Sequence, residues 1–290
     1  MLMKKLLGYI RLTRPYVLLS ATPFYIGSAF LSVNGLPPIG PLSIGFLTVV
    51  LAIAAAHVAN DYFDWRLDAK NPRTAMRPIA SKLISPNEAL LYGLALAIIA
   101  FALAFTLNTS SVLVALAAIP LPFIYVCFRR HRIPFAFICP VIAIALIIIY
   151  GSTSVTGGFF SESTWAFLIL GLIWEPGRDL ISEIQDVKVD KAAGILTLPV
   201  VLSPRGAAKC VLVLFTASSI VGVIIGFLTK LGIVYFTAAI LAGFYLVFRS
   251  VELVKEPSSK NAVVMRVRAP RYIVSLCVGI VINYVIVSIM

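Results

Sequence analysis

Apolar residues in this chain come in runs of about twenty, the length that crosses a hydrocarbon core about 30 Å thick. Polar residues are confined to short stretches between the runs. Nine such runs can be drawn, near 15–34, 41–63, 86–107, 110–129, 134–153, 164–183, 207–228, 231–250 and 270–289. Stretches such as LLYGLALAIIAFALAF and VIAIALIIIY are continuous and do not alternate. In lipid they can satisfy their backbone groups as helices but not as the strands of a barrel. The pattern predicts an all-α membrane protein, a bundle of nine transmembrane helices, with no room for a separate soluble domain. Ahead of the first run, MLMKKLLGYIRL is basic and amphipathic, and no small-residue cleavage site follows the run. It predicts an interfacial helix over residues 1–13.

Composition agrees: of 290 residues 60% are hydrophobic and 12% charged, and the mean hydropathy is +1.01, beyond the range of soluble domains. Charge adds orientation. Threading the chain through nine spans puts all but Lys230 of the 24 lysines and arginines on the N-terminal side. The positive-inside rule then places the N-terminus and those loops in the cytoplasm. The same asymmetry accounts for the net charge of +12, so no nucleic-acid partner is required. Cys127, Cys139, Cys210 and Cys277 have neither metal-ligand spacing nor a paired pattern and read as buried, inert thiols.

The acids are the informative exception. Of 12 Asp and Glu, Asp61, Asp64 and Asp68 form one window, and Glu175, Asp179, Glu183, Asp186 and Asp190 a second. Both fall at the cytoplasmic end of an expected span, the second and the sixth, an offset that hints at duplication of a four-helix unit. On a continuing helix Asn60, Asp64 and Asp68 lie at i, i+4 and i+8, one stripe about 12 Å long. Asp179, Glu183, Asp186 and Asp190 form another. A carboxylate at the bilayer centre costs roughly 2.5–3.5 kcal/mol on insertion scales, less near the interface, and stacked like charges repel. Helix C-terminal ends moreover prefer cations, so acids that merely pair with loop lysines do not explain the placement. Oxygen-rich stripes lacking His and Cys suit a hard cation such as Mg²⁺, which takes one or two carboxylates and completes its shell with water and phosphate oxygens. Two facing stripes suit two such ions and a diphosphate.

NDYFDWRLD has the form NDxxDxxxD, and EIQDVKVD ends in DxxxD. Together with NPRTAMRPIASKLIS and DKAAGILTLPV, these segments resemble the UbiA superfamily of intramembrane prenyltransferases over nearly the whole chain. The resemblance implies a single domain over 1–290 with a central apolar cavity, and Mg²⁺-dependent transfer of a prenyl chain from a prenyl diphosphate to an acceptor. It implies metal ligation by Asn60, Asp64, Asp68, Asp186 and Asp190, with Asp61 and Glu183 in support; Glu183 stands where Asp is more common. Arg77 resembles a diphosphate contact, and Tyr125, Arg129 and Arg130 in YVCFRRHR look like the Tyr-x-x-x-Lys-Arg segment, with arginine for lysine. Lys70, Arg73, Arg178, Lys188 and Lys191 divide between diphosphate binding and topology.

His57 and His131 are weaker candidates, read first as a packing donor and a loop residue. Trp65, Trp165 and Trp174 read as aromatic-belt residues, and Asn283 as an interhelical bond. Membrane lipid is the expected surrounding, with no protein partner implied. A cation-coupled transporter is the rival reading, but the acids gather at one face instead of the midplane. An assembly subunit would tolerate loss of every stripe residue. The acceptor stays open between an aromatic quinone precursor such as 4-hydroxybenzoate, an archaeal lipid precursor, geranylgeranylglyceryl phosphate, and the substrate of chlorophyll synthases.

Overall fold

The computed structural model describes residues 2–70, 74–130, 138–158, 161–192 and 194–289, the side chains of Leu2, Arg129 and Arg130 excepted. The described chain is helical: α1 Leu2–Leu12, α2 Pro15–Val33, α3 Ile39–Asp68, α4 Pro86–Phe105, α5 Thr109–Ala118, α6 Leu121–Arg130, α7 Ile138–Thr156, α8 Glu162–Ala192, α9 Leu198–Leu202, α10 Pro204–Leu228, α11 Ile233–Lys255, α12 Ser259–Arg268 and α13 Pro270–Ile289. Among the described residues, eight stretches are long and apolar enough to cross a membrane. The helix at the sixth expected span, α8, has the length but carries Glu175, Arg178 and Asp179 within it.

Two departures from the sequence pattern have local causes. The run expected at 110–129 is two helices that part at Ile119 and Pro120, where proline supplies no backbone N–H and crowds the preceding turn. In contrast α3 and α8 run on past the apolar stretch to Asp68 and Ala192, because their polar last turns are supported by neighbouring loops.

Close helix approaches rest on small residues, as expected where lipid supplies no hydrophobic drive. A Cβ on Gly151 of α7 would lie 2.5 Å from the Tyr25 carbonyl oxygen of α2. Across the same contact the Ser28 hydroxyl donates to the Ile148 carbonyl at 2.6 Å. The central core is aromatic. Trp174 of α8 packs on Phe24 and stacks with Phe215, ring centroids 5.5 and 6.3 Å away. Trp174 is thus fully buried, which corrects its assignment to an aromatic belt; Trp165 is exposed. Asn283 makes its expected interhelical bond, accepting from the Gly232 N–H at 2.6 Å. The cysteines are free, but Cys127 is exposed and so is not a buried thiol.

Helix α1 is docked, not loose. Leu12 is fully buried with Val58, Ile79, Ile84 and Ala89, Tyr9 meets Tyr92 edge-on at 5.0 Å, and Lys5 pairs with Glu88. Glu88 also closes the capping box of α4 with Ser85. These contacts fix the turn between α1 and α2, where Arg14 takes a left-handed φ of 48° before Pro15 begins the next helix.

Candidate active site

Because α3 continues unbroken to Asp68, Asn60, Asp64 and Asp68 occupy one face, as the spacing predicts. The acids are withdrawn from solvent: Asp61, Asp64 and Asp68 are 2%, 7% and 8% exposed. Arg77 lies across this end of the helix. Its Nη1 donates to Asp68 Oδ2 at 2.8 Å and to Asp61 Oδ1 at 3.3 Å, and Arg14 pairs with Asp61 from the opposite side. The segment that delivers Arg77 is anchored by buried Ile79 and Ile84. Thr74 tightens it, donating from its hydroxyl to the Asp68 carbonyl at 3.1 Å and accepting from the Arg77 N–H at 2.9 Å.

Two polar atoms at the foot of the stripe have no such support. Asn60 Oδ1 and His57 Nδ1 are buried without a hydrogen-bond partner among the described residues. A buried unpaired amide oxygen is costly, and on a face with two carboxylates it is an open oxygen donor.

The second stripe is equally continuous, since α8 passes through Pro176 without a break. Its end is shaped by Gly194, whose φ is +69°. The Ile195 N–H bonds the Asp190 carbonyl at 2.9 Å and the Gly194 N–H that of Lys191 at 3.2 Å, the paired bonds of a Schellman turn. The chain then folds back over the acids. The Leu198 N–H donates to Glu183 at 3.3 Å, and the Thr197 hydroxyl reaches Asp190 Oδ2 at 3.5 Å. Glu183 is thereby engaged by backbone. Gly194→Ala is expected to cost about 1 kcal/mol by its positive φ and to lower activity several-fold by releasing this return segment. Thermal unfolding and turnover measured together check it, and unchanged turnover would dismiss the segment's role.

Deeper on α8, Arg178 grips the buried Glu175 from its Nε, 2.9 and 2.8 Å from the two carboxylate oxygens, and from Nη2. This pair was not separable from topology in the sequence. Neither α3 nor α8 packs extensively on the other, while both pack on α2 and α7. Yet Arg14, Arg77 and Arg178 all act electrostatically on His57, and Tyr125 of α6 acts on Arg178. The middle turns of α3 and α8 therefore feel one another's charge beside α6. Lys188 is exposed. The side chains of Arg129 and Arg130, and His131 and Arg73 altogether, lie outside the described residues.

The donor set fits a hard divalent ion. Among the described residues no three His, Cys, Asp or Glu side chains gather tightly enough to hold a metal by themselves. Arg14 and Thr197 were not foreseen: the Arg-Pro pair at 14–15 and the Thr-Leu-Pro at 197–199 are their signals.

Comparison with known proteins gives the same picture. The model of the UbiA prenyltransferase family matches residues 20–274. Digeranylgeranylglyceryl phosphate synthase of Thermococcus sibiricus is 30% identical over 257 residues, 88% of each chain. The 4-hydroxybenzoate octaprenyltransferase of Hydrogenovibrio crunogenus is 27% identical over 253 residues, 84% of this chain and 86% of that one. A solved UbiA homolog from Archaeoglobus fulgidus, bound to GPP and Mg²⁺, superposes with a TM-score of 0.65 at 20% identity, covering 94% of this chain and 99% of that one. With the family model spanning most of its length and a relative 30% identical over 88% of each chain, the chain belongs to the UbiA prenyltransferase family and is a membrane-embedded prenyltransferase.

Proposed function

We propose that this enzyme transfers a prenyl chain from a prenyl diphosphate to geranylgeranylglyceryl phosphate, releasing diphosphate. The observation that carries the site is the buried stripe on α3, where Asp64 and Asp68 share a face with Asn60, whose Oδ1 has no partner among the described residues. The 30% identity to a digeranylgeranylglyceryl phosphate synthase supports this acceptor. Prenylation of an aromatic acid is the second reading, supported by the similarity to a 4-hydroxybenzoate octaprenyltransferase.

In this reading Asn60, Asp64, Asp68, Asp186 and Asp190 hold two Mg²⁺ ions. When bound, these ions neutralise charge on the leaving diphosphate. Arg77 holds Asp61 and Asp68 in place and turns its remaining N–H groups toward the diphosphate, where they favour the developing charge. Arg129 and Arg130 add cationic charge from the end of α6. Thr197 and the Leu198 N–H keep the second stripe covered. With the C1–O bond broken and diphosphate released, the allylic cation is attacked by the acceptor nucleophile, which loses its proton as the new bond forms, and the apolar helices around it exclude water that would quench the cation. Counting α8 with the eight apolar stretches gives nine spans, and the positive-inside count over them puts the site in the cytoplasm.

The test is direct. Purified enzyme is incubated with geranylgeranyl diphosphate, Mg²⁺ and each acceptor, and the product is identified by mass. Chelation with EDTA is expected to stop diphosphate release, and added Mg²⁺ to restore it. Activity that survives exhaustive chelation would refute the metal assignment, and absence of product with both acceptors the acceptor assignment.

A further inference from the structure

We propose that Arg178, held by Glu175, is the subsite that binds the anionic group of the acceptor. The inference rests on the prenyl-transfer reading above, whose two acceptors share one feature: each carries an anion, a phosphate in one case and a carboxylate in the other.

Arg178 sits eight residues before Asp186 on α8, about 12 Å deeper along the helix. Its direction follows from the helix faces. Trp174, Gly177, Ile181 and Ile184 are buried on one side of α8, and a Cβ on Gly177 would lie 2.6 Å from Phe215 of α10. That side is closed. Arg178 itself stands at the edge of that side, one turn from Trp174, but Glu175 lies four residues before Asp179 on the acid stripe, and the bonds to Glu175 draw the guanidinium toward the face of the acids.

The pair is built as a receptor. Glu175 is 2% exposed, and an ion pair this deep gains little net stability because desolvation offsets the attraction. Arginine offers five N–H donors in a fixed fork. Glu175 takes the Nε edge and Nη2, while Nη1 makes no hydrogen bond among the described residues. Glu175 thus fixes the plane of the guanidinium and leaves one amino group aimed at a further acceptor atom. Phosphate and carboxylate are the groups this geometry favours. His57, on which Arg178 acts electrostatically, has a buried Nδ1 with no hydrogen-bond partner among the described residues and would provide a second polar contact. An acceptor anchored here reaches toward the diphosphate end with its nucleophile, separating its own anion from the diphosphate by most of the 12 Å.

The experiment uses the full chain in lipid nanodiscs and two acceptor pairs: 4-hydroxybenzoate against its methyl ester, and geranylgeranylglyceryl phosphate against geranylgeranylglycerol. Binding of each is measured at equilibrium, and KM values are measured for acceptor and for geranylgeranyl diphosphate. Loss of the charge-assisted bonds in Arg178→Gln is expected to weaken the anionic acceptor roughly 10- to 100-fold. The KM for geranylgeranyl diphosphate should stay within a factor of about two, and the preference over the neutral analogue should vanish. Arg178→Gln strands Glu175, so Glu175→Gln/Arg178→Gln is read beside it; it removes both charges together and should show the same loss. Whichever pair shows the Arg178-dependent preference identifies the anion. The proposal is overturned if both variants keep the wild-type preference, or if the KM for geranylgeranyl diphosphate rises equally. Wild-type anion preference in binding without any product would sink the prenyl-transfer reading and leave the subsite standing.

Discussion

Replacing Asp64 or Asp186 by alanine is expected to reduce diphosphate release at least roughly 100- to 1000-fold, the range seen when a group that stabilises developing charge or its support is removed. The protein should still insert into membranes, because none of the apolar stretches changes. A variant that is inserted and folded yet inactive separates a site residue from a structural one. Turnover of a labelled prenyl diphosphate at the wild-type rate in either variant would refute the site.

Arg77→Ala is expected to act on stability and activity together. The guanidinium bridges Asp61 and Asp68, and its removal leaves Asp68 without that partner while Asp61 keeps Arg14. Breaking a buried pair costs about 3–5 kcal/mol; with Arg77 28% exposed, a loss on the order of 1–3 kcal/mol is expected here. Arg77→Lys keeps the charge but cannot span two carboxylates with one planar fork, so it should recover part of the stability and little of the activity. Asp61→Asn combined with Arg77→Ala should be less destabilised than the sum of the single changes, since the two share one interaction. Chemical unfolding of the four variants reads the coupling. Strict additivity would show that the bridge contributes nothing.

Much of this was legible in the sequence for a physical reason. A span must supply about twenty apolar residues from its own covalent neighbours, so its existence is a local property. The stripes are local as well. Asn60, Asp64 and Asp68 share a face because a helix repeats every 3.6 residues, whatever packs around it. The same holds for Asp179, Glu183, Asp186 and Asp190, provided Pro176 does not end the helix, and it does not.

What escaped the sequence depends on neighbours far along the chain. Trp174 resembles an interfacial aromatic until Phe24 and Phe215 are placed against it. Arg14 is one of many cytoplasmic cations until docking of α1 turns the chain at a left-handed φ and sets its guanidinium on Asp61, 47 residues on. Arg178 could not be told from a topology-setting charge until its guanidinium was seen gripping the buried Glu175. Apolar length, helix periodicity and the clustering of acids are written residue by residue, so the sequence alone determined a membrane bundle with two acidic helix ends. Which cations hold those acids, and which one is left with a donor to spare, only the tertiary structure decided. A positive charge in a loop satisfies topology in any position, whereas its chemistry depends on the one carboxylate that packing brings within hydrogen-bond reach.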